Sequence, residues 1–420
     1  MKTALANLIL RGFAIAGRFL VLIGIGKYLS ESDLGTYGLF YSTIILSLYF
    51  IGLDFYTFTT REIIAADPAD RLRIIRNQFV FHLLSYLVIL PVLLPVFFFQ
   101  IVPFEFMVWF YFVLIFEHLS QEFFRIFIAL SRSVFANFIS FIRSGLWVIV
   151  LGVLWMLQVQ SMISLRVILI AWAAGAALSV VIPVFYLRFI LNTPLPPFRI
   201  EWRWMKHGLI TALPFFTGSV CYKIIEHANR YYIDFFQGKE LVGIFTFYAG
   251  IANIVSVIVN TAVIIVVYPK LYEYYINQNW PKYKEEQRRF YRQVLLLSLS
   301  SGLLLALVIY PIITVTGKSA SFLPNITAYY YLIIANIVLN ISLIPHFILY
   351  VQKKDITIMN ITLAGMIINL IINYFLIRTY GIDGAAVAMI LSFIFIAVGK
   401  FYFVSRAGSL PIDPGRTEPL

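Results

Sequence analysis

At 420 residues, 61% hydrophobic and only 12% charged, with a mean hydropathy of +0.88, the chain lies far outside the range of water-soluble domains, in which about a quarter of residues are charged. Hydrocarbon cannot hydrogen-bond a backbone, so only helices or a closed barrel can span it, and apolar runs of about twenty residues select helices. The net charge of +12 would suit nucleic acid, but the basic residues follow a membrane rule instead, and the single Cys221 excludes an intramolecular disulfide.

In chain order the apolar windows fall near 5–27, 36–58, 77–100, 104–129, 134–157 and 166–190. The segment Asn192-Thr193-Pro194-Leu195-Pro196-Pro197 cannot be helix and interrupts them. Six further windows follow near 208–236, 242–268, 293–315, 326–351, 356–377 and 384–405. The expected organisation is therefore an N-terminal lobe of six spans over 1–191, a cytoplasmic linker over 192–207, a C-terminal lobe over 208–405 and a tail over 406–420.

With the N-terminus inside, the inner loops collect Arg71, Arg73 and Arg76, then Arg199, Arg203 and Lys206, then Lys282 through Arg292, while the outer loops hold only Lys27, Arg166, Lys239, Lys318 and Arg378. This asymmetry supports the count of twelve and places both termini in the cytoplasm. Trp202 and Trp204 beside Arg203, and Trp280 within the 269–292 loop, read as short segments lying on an anionic inner leaflet, so membrane lipids are expected partners and nucleic acid is not.

The two halves resemble each other. Gly35-x-Tyr37 after the first span matches Gly243-x-Phe245 after the seventh, and Arg132 with Asn137 matches Lys354 with Asn360 more weakly. Six is even, so the halves share one orientation and a pseudo-two-fold axis would run along the membrane normal. Two such lobes can rock about a central cleft, which favours a transporter.

Several charges stand at membrane depth, each carrying on the order of 2.5–3.5 kcal/mol of insertion penalty. Arg11 and Arg18 share one face of the first span; Lys223, Glu226, Arg230 and Asp234 share one face of the seventh. Arg125 and Arg143 lie in the fourth and fifth. A cationic cleft lined by Arg18, Arg143, Lys223, Arg230 and Arg11 is one reading; snorkelling of Arg11 and Arg125, or pairing of Glu122 with Arg125 and Glu226 with Arg230, is the other. Asp54, Glu122, Glu226 and Asp234 are candidates for a coupling Na+ or H+, or else counter-ions of the arginines. Asn336 with Asn340 and Asn369 with Asn373 could meet sugar hydroxyls or join helices, and Pro214 is the expected hinge.

The histidines at 82, 118, 207, 227 and 346 show no metal-ligand spacing, no phosphate-binding Walker sequence occurs, and the outer loops leave little room for a catalytic domain. Neither an enzyme nor a cofactor is expected.

The stretch Gln352-Lys353-Lys354-Asp355, with Asn369-Leu370-Ile371-Ile372-Asn373 and Tyr380-Gly381-Ile382-Asp383-Gly384, resembles the polysaccharide-exporter branch of the multidrug/oligosaccharidyl-lipid/polysaccharide flippase superfamily. Gly35-Thr36-Tyr37-Gly38-Leu39 is similar to the same family's entry into its second span, and twelve spans is similar to Wzx-type O-antigen flippases. The resemblance implies an all-α, MATE-like pair of six-helix lobes in the bacterial inner membrane. It implies a flippase that takes an undecaprenyl-pyrophosphate-linked oligosaccharide from inner to outer leaflet, with a glycan polymerase and a chain-length regulator as partners. A cation-coupled drug exporter of the same fold and a membrane glycan polymerase are the alternatives.

Overall fold

Hydrogen-bonding demand inside lipid is met here entirely by helices. The computed structural model describes residues 2–191 and 199–407, and no strand occurs among the described residues. The Asn192–Pro197 segment and Arg416 lie outside them, as does the side chain of Arg18.

The first span is α1 (Lys2–Tyr28). The second begins with a side-chain cap: Ser30 Oγ accepts from the Asp33 N–H at 3.0 Å at the start of α2 (Glu31–Gly52), whose first turn carries Glu31 and Asp33 against the helix dipole. The window at 36–58 is not one helix. Leu53 and Asp54 both adopt φ of 47°, a left-handed conformation that L-residues reach at some cost, and α3 (Tyr56–Ala65) restarts beyond them. Pro68 opens α4 (Pro68–Val92) at a position where its missing N–H is not needed, and a short α5 (Pro95–Phe98) follows.

The fourth span is α6 (Met107–Ala129). The fifth comprises α7 (Ser133–Phe141) and α8 (Trp147–Met156), joined through a π-helical turn at Ile142–Leu146 that carries Arg143. The sixth is α9 (Leu165–Leu191). Residues 202–207, expected in the linker, are already helix: α10 (Trp202–His227) begins there and passes through Pro214 unbroken, followed by α11 (Asn229–Gln237). Two contacts hold that start. Glu201 takes two bonds from Arg73 Nη1 at 2.7 and 2.8 Å, and Trp204 packs on Phe55 and Phe58.

The eighth span consists of α12 (Lys239–Ala252), α13 (Ile254–Val259), a π turn at Asn260–Ile264 and α14 (Ile265–Ile276). The long α15 (Trp280–Thr316), capped by Asn279, leads through α16 (Ser319–Phe322) to α17 (Ile326–Val351) and α18 (Asp355–Ala407). Length and hydropathy alone mark ten of these helical stretches as membrane spans. Gly381, at φ 61° and ψ −139°, divides α18 into two, and α6 falls short only because polar residues dilute it, which brings the count to the expected twelve.

Lipid-facing and packed faces alternate as a membrane requires. On α15, Leu296, Leu299, Leu303, Leu304 and Leu307 are exposed while Ser298, Ser301 and Gly302 are buried, small residues letting α17 approach until a Cβ at 302 would stand 3.0 Å from Ile337.

The helices form two units, Met1–Lys223 with Lys239–Gly243, and Ile224–Gly238 with Ile244–Leu420. In the first, the N-terminal turns of α2 and α12 cross with no side chain between them. A Cβ on Gly35 would strike the Lys239 carbonyl, and one on Gly243 would strike the Glu31 carbonyl. These are the two glycines matched in the halves of the sequence, and each meets the carbonyl four residues before its counterpart.

Candidate functional site

Two helices of the first unit turn polar stripes to one another. On α4, Gln78, His82 and Tyr86 recur every four residues; on α6, His118 and Glu122 form one such pair, and Glu117 with Gln121 another. His82, Glu122, Gln78 and His118 are all buried.

Glu122 is the centre. Gln78 Nε2 donates to its Oε2 at 2.5 Å, Arg125 is ion-paired with its Oε1, His82 Nε2 stands 3.2 Å from Oε2, and His118 Nε2 stands 4.0 Å from Oε1. The Arg125 guanidinium also lies 3.6 Å from the Tyr56 ring centroid, a cation–π contact supplied by the restart of helix at α3. Asp54, on the left-handed break before α3, is buried, hydrogen-bonded with Ser219, and within electrostatic reach of Arg125 and Glu122. Tyr86 Oη sits 2.7 Å from His118 Nδ1.

A second buried pair lies further along α6. Arg143 Nε is 3.2 Å from Glu117 Oε1, Trp172 Nε1 donates to Glu117 Oε2 at 3.2 Å, and Gln121 Nε2 donates to Oε1 at 3.4 Å. Burial of Arg143 thus comes with a carboxylate, as a guanidinium away from water demands.

The other expected cations have different surroundings. Arg11 is exposed and donates to Asn137 at 3.0 Å, and Asn137 donates in turn to Asn7, tying α1 to α7. Arg18 is helical, with its side chain outside the described residues. Lys223 is half-buried near the end of α10. In the second unit Arg230 is buried, donating to Thr246 at 3.1 Å and to the Glu226 backbone carbonyl at 2.9 Å, with Phe245 beneath it; Glu226 and Asp234 are half-buried. The structure therefore brings Asp54, Glu122 and Arg125 into one cluster and Arg143 onto Glu117, and keeps Arg230 with Glu226 in the other unit.

Sequence spacing missed Gln78, His82, Tyr86 and His118, because the partners sit on helices separated by a whole loop; only the i, i+4 pair of His118 and Glu122 was visible locally. It also missed Lys400, fully buried on α18 with Nζ 3.1 Å from His346 Nδ1. Two of the amides act between helices, Asn369 donating to Ser392 at 3.0 Å across the Gly381 break and Asn336 accepting from Ser256 at 2.9 Å, while Asn373 donates to Asn369 one turn back on the same helix at 2.8 Å.

This arrangement of helices is that of the MATE transporters. The chain is similar to an inward-facing multidrug resistance MATE family transporter of the MOP superfamily, with a TM-score of 0.73 at 15% identity over 96% of each chain. It is similar to a second MATE structure, solved in complex with MaD3S, with a TM-score of 0.66 at 14% identity over 96% of this chain and 95% of that one. It is likewise similar to the lipid II flippase MurJ in an inward closed conformation, with a TM-score of 0.69 at 15% identity over 96% of this chain and 87% of that one. No protein-family model matches the sequence, and no curated protein does.

Proposed function

We propose that the chain is a flippase of the bacterial inner membrane that carries an undecaprenyl-pyrophosphate-linked oligosaccharide, an O-antigen or similar repeat unit, from the inner to the outer leaflet by alternating access. The observation that supports this reading most is a MATE-type fold, shared with a lipid II flippase, in which cationic side chains stand at membrane depth on several spans. A pyrophosphate needs such groups, since guanidinium and ammonium donors are what offset its charge away from water. In this reading Arg18, Arg143, Lys223, Arg230 and Arg11 hold the headgroup. The carboxylates of Asp54, Glu122, Glu226 and Asp234 take the coupling Na+ or H+, and a polymerase and chain-length regulator act on the product.

The test is where the lipid-linked repeat unit resides after deletion of the gene, read with a lectin or a periplasmic ligase. Complete units held on the inner face support translocation as the missing step. Normal outward arrival with short polymer overturns it. Complementation by Arg18→Ala and Lys223→Ala variants should fail at normal protein levels, and full export by both would remove the cationic site from the proposal.

The MATE likeness favours one second reading, a cation-coupled multidrug exporter. Drug resistance on overexpression, with glycan export intact in the deletion, would select it.

A further inference from the structure

We propose that His82, His118 and Glu122 form a binding site for a divalent transition-metal ion of the zinc class, and that Arg125 is the side-chain cation that competes with the metal for Glu122. The proposal does not depend on what the protein transports, and it gives Glu122 to a metal ion, leaving Asp54, Glu226 and Asp234 for a coupling ion.

The donor atoms are already gathered. One ligand atom from each of the three residues lies within 4.8 Å of the others, and His82 Nε2 is 3.2 Å from Glu122 Oε2. Ligand atoms around a tetrahedral zinc ion with bonds near 2.0 Å stand about 3.3 Å apart, so His82 and Glu122 have that spacing and His118 needs only a small inward shift. Room for the shift exists on the α2 side, where Gly52 offers no side chain; a Cβ there would sit 3.3 Å from His118 Nε2.

The imidazoles also keep nitrogen atoms that no other group satisfies. His82 Nδ1, His118 Nε2 and Gln78 Oε1 are buried with no hydrogen-bond partner among the described residues, and His82 Nε2 faces only Glu122. Buried polar atoms are seldom left so, and two imidazole nitrogens facing one buried carboxylate is an arrangement that a ligand would explain. Tyr86 at His118 Nδ1 is the outer contact that fixes a metal-bound imidazole, since accepting the Nδ1 proton turns the Nε2 lone pair toward Glu122. A half-turn of the Gln78 amide, which now donates to Glu122, would present Oε1 as a fourth ligand.

Charge selects the ion. Glu122 is now ion-paired with Arg125, whose side chain is 26% exposed and therefore has a path outward. With Arg125 withdrawn, a divalent ion would take its place beside Glu122, with Asp54 nearby. Two imidazole nitrogens favour zinc, cobalt or nickel over the hard ions Na+, Mg2+ and Ca2+, which take oxygen shells.

The experiment uses the full chain in detergent after treatment with a chelator. Titration with Co2+, followed by visible d–d absorption, and equilibrium dialysis with Zn2+ should each show one ion per chain. His82→Ala and His118→Ala should weaken binding about tenfold or more, as loss of a ligand does. Arg125→Gln should tighten it several-fold, because the competing cation is gone. Absence of saturable binding to the wild type overturns the site, and so does wild-type affinity in both histidine variants. Should those variants fail to fold, Arg125→Gln still decides: unchanged or weaker binding there refutes the competition.

Discussion

Replacing Glu117 by alanine strips Arg143 of its carboxylate, Trp172 of its acceptor and Gln121 of a neighbour in a single step. At 3.2 Å and an effective dielectric near 20 the ion pair alone is worth about 5 kcal/mol of attraction, and breaking a buried pair from one side destabilises by about 3–5 kcal/mol once the abandoned charge relaxes. Arg143→Met should do comparable damage from the other side, leaving a buried carboxylate instead. The double variant removes both charges together and should be far less damaged than the sum of the two, with a coupling of roughly 2 kcal/mol or more. Reversible unfolding in mixed micelles, followed by far-ultraviolet circular dichroism, measures all four corners of the cycle. Additive effects would refute the pairing as a source of stability. The same double variant, assayed for glycan export, asks whether Arg143 meets substrate: export that survives would leave Arg143 as a prop for the packing of α6 on the π turn and remove it from the headgroup site.

Gly35→Leu and Gly243→Leu should each prevent accumulation of folded protein, since a side chain at either position runs into backbone, whereas Gly152→Ala, with open space around it, should be neutral or slightly stabilising; fluorescence-detected size exclusion reads all three. The link between Arg73 and Glu201 should depend on pH in one direction. Burial pushes the Glu201 carboxyl up, but the hydrogen bonds from Arg73, with the charge of that guanidinium, outweigh it and hold the carboxyl below its ordinary value. The contribution is therefore complete at neutral pH and lost as pH falls through the lowered value, below the usual range of about 4. A cycle of Arg73→Gln and Glu201→Gln should show coupling of about 0.2–1 kcal/mol at pH 7, as for a partly exposed pair, and none in strong acid.

Hydropathy is a local property, and what it governs was legible: about twelve spans and their approximate limits, including the division of α18 into windows at 356–377 and 384–405. The fourth span was found from its apolar first half although Glu117, His118, Glu122 and Arg125 lower its average. Backbone departures were not legible. Nothing in Leu53-Asp54 announces two successive left-handed residues, and nothing in Ile142-Arg143-Ser144 announces a π turn, because both depend on which neighbours receive the freed side chains. The linker was drawn too long for a related reason, since Trp202 and Trp204 look like membrane-surface residues until Phe55 and Phe58 are seen beneath Trp204. At the site, Glu122 with Arg125 was visible as a same-helix pair, while His82 and Gln78 come from another helix and carry no mark in the spacing.

The crossing of α2 and α12 has a meaning beyond close packing. Each glycine touches the carbonyl that corresponds to the one touching its partner, so the contact is unchanged when the two halves exchange roles. An interface with that property is isologous, the kind formed when two identical chains meet across a two-fold axis. In a true dimer of that kind one substitution strikes the contact twice, whereas here the two glycines are separate residues of one chain. Each glycine can therefore be probed alone, and a chain carrying only the Gly35 substitution tests one side of the paired contact while leaving the other intact.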